Sequence, residues 1–173
     1  MRKKKLKPFI FIPTGGDLNK LLAEIKKMCI EVTQGVMEVI PDTELSLQKK
    51  GTCGLVALRV GKGGLGFTGQ VTSFGQIMTD EFCAQWSKEN LTSQVIGLCE
   101  IQDVFQLRKN WNQPRHTMVS PAIKRIRHPS MRYGGFTVGC LGAGHCWIGF
   151  DFKENDYSPY MSEVIVFRLR DVE

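Results

Sequence analysis

The closing segment, Glu163 to Leu169, constrains the fold most. Period-two alternation running on to Asp171 sets Ile165, Phe167, Leu169 and Asp171 on one side of an extended chain, which is the signature of a strand with one side turned to a core. Further strands are expected over Ser93–Ile101, His116–Ser120 and Gly144–Phe152, where short apolar runs meet turn or proline signals. Helical spacing occurs elsewhere. After Gly15-Gly16, Asp17 can cap a helix with Leu18, Leu21, Leu22, Ile25 and Cys29 on one face. Thr72–Asn90 carries the apolar stripe Phe74, Ile77, Met78, Phe82 and Trp86, and Gln102–Trp111 reads as a short helix. Helices first and then a largely antiparallel sheet predict an α+β fold.

Length and composition limit what can be built on this frame. The 173 residues fit one domain, divided here into a basic arm with an amphipathic helix (1–45) and a main domain (46–173), with Pro41 and Asp42 marking a turn near the boundary. No apolar run approaches the roughly 20 residues of a membrane-spanning helix, and the basic start lacks a cleavage site, so a soluble cytoplasmic protein is expected. Six cysteines without CxxC spacing are expected to be reduced thiols. The net charge of +6 favours an acidic partner, with Arg2, Lys3, Lys4, Lys5 and Lys7 read as a solvated tail.

Three constellations could carry chemistry. Gly61, Gly63 and Gly66 satisfy G-x-G-x-x-G, but a dinucleotide site needs the last glycine to open a helix, and the better helix start is Thr72 or Ser73. Cys140, His145 and Cys146 could approach a metal, yet neighbouring strand residues point to opposite faces, and the cysteines read better as small buried hydrophobes. The third is a cysteine nucleophile. Cys53 follows a polar turn at 48–52 and opens the apolar run Gly54-Leu-Val-Ala-Leu, which periodicity leaves open between helix and strand. As a helix, that run would lower the thiol pKa through its N-terminal dipole. Gln48 could then donate to an oxyanion, His145 could serve as base, and Asp171 could orient the imidazole from the end of the last strand.

The segment Gln48-Lys-Lys-Gly-Thr-Cys53-Gly-Leu-Val-Ala-Leu resembles the nucleophile segment of the actin maturation proteases, a papain-like group related to bacteriocin-processing peptidases; Gly66-Phe-Thr-Gly-Gln-Val-Thr-Ser-Phe is similar to that family's glycine-rich loop. The resemblance implies a papain-like fold and cysteine-peptidase chemistry on an acidic, actin-like N-terminus, with Cys53 as nucleophile, Gln48 as oxyanion donor, His145 as base and no cofactor. It also has departures: Cys146 stands between His145 and Trp147 where the family has His followed by Trp, and the family's proline-rich extension is missing.

The basic stretch Lys124, Arg125, Arg127 and Arg132 is expected to attract an acidic peptide substrate. The competing expectation is a non-enzymatic module that uses the same charges on nucleic acid or an acidic protein.

Overall fold

A computed structural model describes residues 3–40, 51–61, 65, 73–154 and 163–172. The fold is mixed α+β. Helices are α1 (Leu18–Lys27), α2 (Gln34–Val39), α3 (Phe74–Ile77), α4 (Asp80–Asn90) and α5 (Ile101–Asn110). Strands are β1 (Ile10–Thr14), β2 (Glu31–Val32), β3 (Gly51–Arg59), β4 (Gln94–Gly97), β5 (Thr117–Pro121), β6 (Ile126–Arg127), β7 (Tyr133–Cys140), β8 (Cys146–Phe152) and β9 (Val164–Asp171).

The strands form one sheet in the order β1-β3-β9-β5-β7-β8-β2, with β4 added to β9 and β6 to β7. Two pairings are parallel, β5 with β9 and β2 with β8, so the sheet is mixed and its helices are interleaved with strands, not gathered ahead of them. β9 is the centre: β3 pairs along one edge, while β5 and β4 share the other.

Each side of the sheet has its own core. On one, Ile12, Cys53, Leu55 and Val166 pack with Leu21 and Ile25 of α1, Val36 of α2 and Val104 and Phe105 of α5. On the other, Val56, Leu58, Ile165, Phe167 and Leu169 pack with Phe74 and Ile77 of α3 and Cys83 and Trp86 of α4. This double burial explains why the run after Cys53, which periodicity leaves open, is a strand and not a helix. A central strand covered on both faces reads as a continuous apolar run, because both alternating sets of side chains need apolar neighbours. Gly54 suits the strand as well, since a Cβ there would lie 2.7 Å from Pro8 Cγ.

Local chemistry fixes the helix ends. Asp17 accepts the Lys20 N–H at 3.0 Å, but α1 stops at Lys27, and Cys29 takes φ +57 beyond it. The expected helix over 72–90 is broken: α3 ends at Ile77, and Thr79 caps α4 by accepting the Phe82 N–H at 3.1 Å. The arm is no free tail. Lys4 donates to the Asn90 carbonyl at 2.9 Å, and Leu6 bonds both ways with the Gln94 side chain. The boundary expected near residue 45 lies outside the described residues; on either side of it β1 pairs with β3 and α1 packs on α5. No helix among the described residues is long and apolar enough to cross a membrane.

Candidate active site

Cys53 lies near the start of β3, facing the same side as Leu55, with its thiol 3.4 Å from the Gly54 carbonyl. Asp103 of α5 and Arg168 of β9 meet nearby, with two bonds of 2.6 and 2.9 Å, both buried. Burial pushes the Cys53 thiol up from its ordinary value; Arg168 opposes this and Asp103 reinforces it. The depressed thiol expected from a helix dipole is therefore corrected: strand dipoles leave little net field, and Asp103 already engages the neighbouring guanidinium.

The partners expected for Cys53 are not brought to it. His145 follows a short 3-10 turn (Gly142–Gly144) ahead of β8, with Nε2 3.0 Å from the Glu31 carboxylate and its ring stacked on Trp147. The pairings Leu58 with Ile165, Ile165 with Ser120, Val119 with Val138 and Val138 with Ile148 place mid-β8 level with the later part of β3. His145 thus lies at the far end of the sheet from Cys53, and β9, β5 and β7 stand between their strands. Asp171 does share a side with Leu169, as its alternation requires, but that is the side opposite Cys53. Its carboxylate is exposed, 3.1 Å from Gln94 Nε2 and 3.8 Å from Lys5 Nζ. Gln48 lies outside the described residues, as do Gly63 and Gly66 of the glycine-rich loop.

The basic stretch divides between two clefts. Lys124 and Arg125 line an opening of about 750 Å³ with Arg170 and with Val95, Ile96 and Gly97 of β4; Lys124 sits 3.1 Å from Asp80, and Arg125 lies 3.7 Å over the Tyr133 ring. Arg127 stands exposed on β6 and lines neither cleft. Arg132 belongs to a second groove, of about 760 Å³, with Thr33, Glu38, His128, Ser130, Trp147 and Phe152 among its walls.

In this second groove three functional groups are hydrogen-bonded in series. Ile126–Arg127 pairs with Tyr133–Gly134, and the intervening chain turns tightly, with His128 N–H bonded to the Arg132 carbonyl at 2.8 Å and Met131 held at φ +69. The turn seats the His128 ring against Phe150 and Phe152 with centroids 5.9 and 5.0 Å away, and the residue is only 9% exposed. Its Nδ1 lies 2.8 Å from Ser130 Oγ and accepts the Ser130 backbone N–H at 3.0 Å. Its Nε2 lies 2.6 Å from Glu38 Oε2. Because a backbone N–H can only donate, Nδ1 must be the bare nitrogen and Nε2 must carry the proton that goes to the carboxylate. Gln34 donates to the other Glu38 oxygen at 2.7 Å, and these bonds, His128's first, hold the Glu38 carboxyl below its ordinary value.

His128, Ser130 and Glu38 are not among the residues that the sequence singles out. His128-Pro-Ser is a local signal for a turn, but Glu38 arrives from a helix 90 residues away, and no spacing announces that meeting. Among the described residues no three His, Cys, Asp or Glu side chains converge as metal ligands; His145 is turned to Glu31 while Cys140 and Cys146 face one another. Comparison with known proteins gave no match, whether to family models, curated proteins or solved structures.

Proposed function

We propose that this protein is a hydrolase of a carboxylic ester or amide, with Ser130 as nucleophile, His128 as base and Glu38 as the group that orients the imidazole. The observation that carries this reading is the unbroken series Ser130 Oγ, His128 Nδ1, His128 Nε2, Glu38 Oε2, with links of 2.8 and 2.6 Å, at the wall of an open groove. A hydroxyl against a neutral imidazole that is itself held by a carboxylate is the arrangement that activates a weak nucleophile. The two ring nitrogens exchange the roles they have in the familiar serine triad; recognition rests on geometry and roles, not on chain order.

In the proposed reaction Ser130 Oγ attacks the acyl carbon as its proton passes to His128 Nδ1, and Glu38 stabilises the imidazolium that results. The proton then goes to the leaving alcohol or amine. Water, deprotonated by Nδ1, releases the acid and restores the hydroxyl. Arg132, which lines the same groove and pairs with the exposed Glu154 carboxylate at 3.4 Å, is the cation whose charge would favour substrates with an anionic group beside the scissile bond. The acidic substrate expected from the sequence thus keeps a rationale through Arg132.

The test is labelling with a fluorophosphonate, followed by mapping of the modified peptide and by hydrolysis of activated phenyl esters. Modification of Ser130, lost in Ser130→Ala and His128→Gln, is expected. Ester hydrolysis unchanged in both variants would overturn the assignment.

A second reading draws on the cleft of Lys124, Arg125 and Arg170 along β4: a binding site for an extended acidic peptide, with affinity falling as salt rises. The papain-like fold and the Cys53 peptidase chemistry, by contrast, draw support from the sequence resemblance of segments 48–58 and 66–74.

A further inference from the structure

We infer that Cys140 and Cys146 form a thiol–disulfide exchange site that takes a low-molecular-weight disulfide as oxidant. The two cysteines are direct cross-strand partners on β7 and β8, at the mouth of the tight connection between them. Leu141 N–H donates to the His145 carbonyl at 2.8 Å, so residues 141 and 145 are the hydrogen-bonded pair and residues 140 and 146 the adjacent non-hydrogen-bonded one. At such positions the Cα atoms approach to about 4.5 Å, inside the roughly 4.4–6.8 Å span that a disulfide bridges. The sulfurs are already 2.8 Å apart, so closure needs no strand movement.

The pair is asymmetric in a way that assigns roles. Cys140 is 4% exposed, whereas Cys146 is half-buried and open to an incoming reagent. Arg108 of α5 lies behind them, 5% exposed, with only neutral acceptors among the described residues: Gln113 Oε1 at 2.5 Å, the Trp111 carbonyl at 3.0 Å and the Gly139 carbonyl at 3.3 Å. Its uncompensated charge offsets part of the upward push that burial and the Cys140 thiol exert on Cys146. It also binds the carbonyl next to Cys140, so the hairpin is pinned from beneath while its sulfurs react.

The reaction balances in two exchanges. Cys146, as thiolate, attacks one sulfur of the reagent, forming a mixed disulfide and expelling a thiolate. Cys140 then loses its proton and attacks Cys146 Sγ, expelling the second thiolate. Two protein thiols are oxidised to one disulfide, the reagent is reduced to two thiols, and those thiols carry away the two protons.

The experiment treats the intact protein with oxidised glutathione, blocks remaining thiols with iodoacetamide and maps peptides by mass. Exposed Cys29 serves as the internal reference and should hold a mixed disulfide. The expected result is a Cys140–Cys146 cross-link that carries no glutathione and is reversed by dithiothreitol. Cys140→Ala should instead trap a stable glutathione adduct on Cys146; Cys140→Ser serves if the alanine variant does not fold. A wild-type protein that keeps glutathione on Cys146, or that leaves both cysteines alkylatable once Cys29 is modified, would overturn the inference.

Discussion

The start of β3 and the turn after β6 both place a reactive side chain beside a group of opposite character, and they use it differently. Beside Cys53, Asp103 and Arg168 bond to each other, so the thiol is left beside a closed ion pair and its ionisation is opposed by burial. At His128 the series of bonds runs from a carboxylate through the ring to a hydroxyl that is exposed at the groove. Reactivity depends less on which residue types gather than on whether the last polar group in the series is already bonded to another.

The sharpest way to break that contrast is to remove the base. His128→Gln should lower ester hydrolysis by about 10²–10⁴, the usual contribution of a general base, while Cys53→Ser leaves the rate unchanged. Equal losses in both variants, measured as kcat/KM, would erase the distinction between the regions.

Next is stability. Asp103→Ala removes the carboxylate bonded to the buried Arg168 guanidinium and should cost about 3–5 kcal/mol in urea unfolding, the range found on breaking buried pairs. A loss below about 1 kcal/mol, the level of an exposed pair, would show that the Arg168 guanidinium does not depend on Asp103.

The pH dependence sharpens the other side. Glu38 is held below its ordinary value of 4.5, so its contribution to stability is fully present above that value and fades as pH falls through the lowered folded one. The difference between wild type and Glu38→Gln, followed by unfolding at several pH values, should be flat near neutrality and shrink only in that acid range. A difference that vanishes already between pH 6 and 7 would contradict the carboxylate assignment.

At Cys53, iodoacetamide should react more slowly than at exposed Cys29 near pH 7, with the Cys53 rate climbing only as pH passes the ordinary thiol value of 9.0. Faster reaction at Cys53, read by peptide mass, would revive the activated nucleophile. The smallest effect is expected for Lys124→Ala, which removes an exposed contact to Asp80 and should change stability by no more than about 0.5 kcal/mol.

What could be read from the sequence was local. The Asp17 cap, the α1 stripe from Leu18 to Ile25 and the alternation of β9 follow from spacing within a few residues, and each is present. β7 was hidden by its glycines. Gly139 is there because Trp147 lies across the strand, where a Cβ would come within 2.1 Å of the ring, and Gly134 because a Cβ would meet the Asp151 carbonyl at 2.3 Å. Those crowding partners are on β8, and nothing near either glycine in the chain reveals them. The identity of β3 was equally out of reach, since a short apolar run fits a buried helix or a two-sided strand until the layers around it are known. The groove is the extreme case: α2, the turn at His128 and the phenylalanines of β8 each look ordinary alone.

One consequence of the topology concerns synthesis. β9 follows the other described strands in the sequence, yet it is the one that β3, β4 and β5 all pair with. While the nascent chain lengthens, those three strands wait with unpaired backbone edges and with Val56, Leu58 and Ile96 uncovered. The centre of the sheet cannot close until β9 has emerged, so the interval between the exit of β5 and that of β9 is when these edges are most open to pairing with another chain.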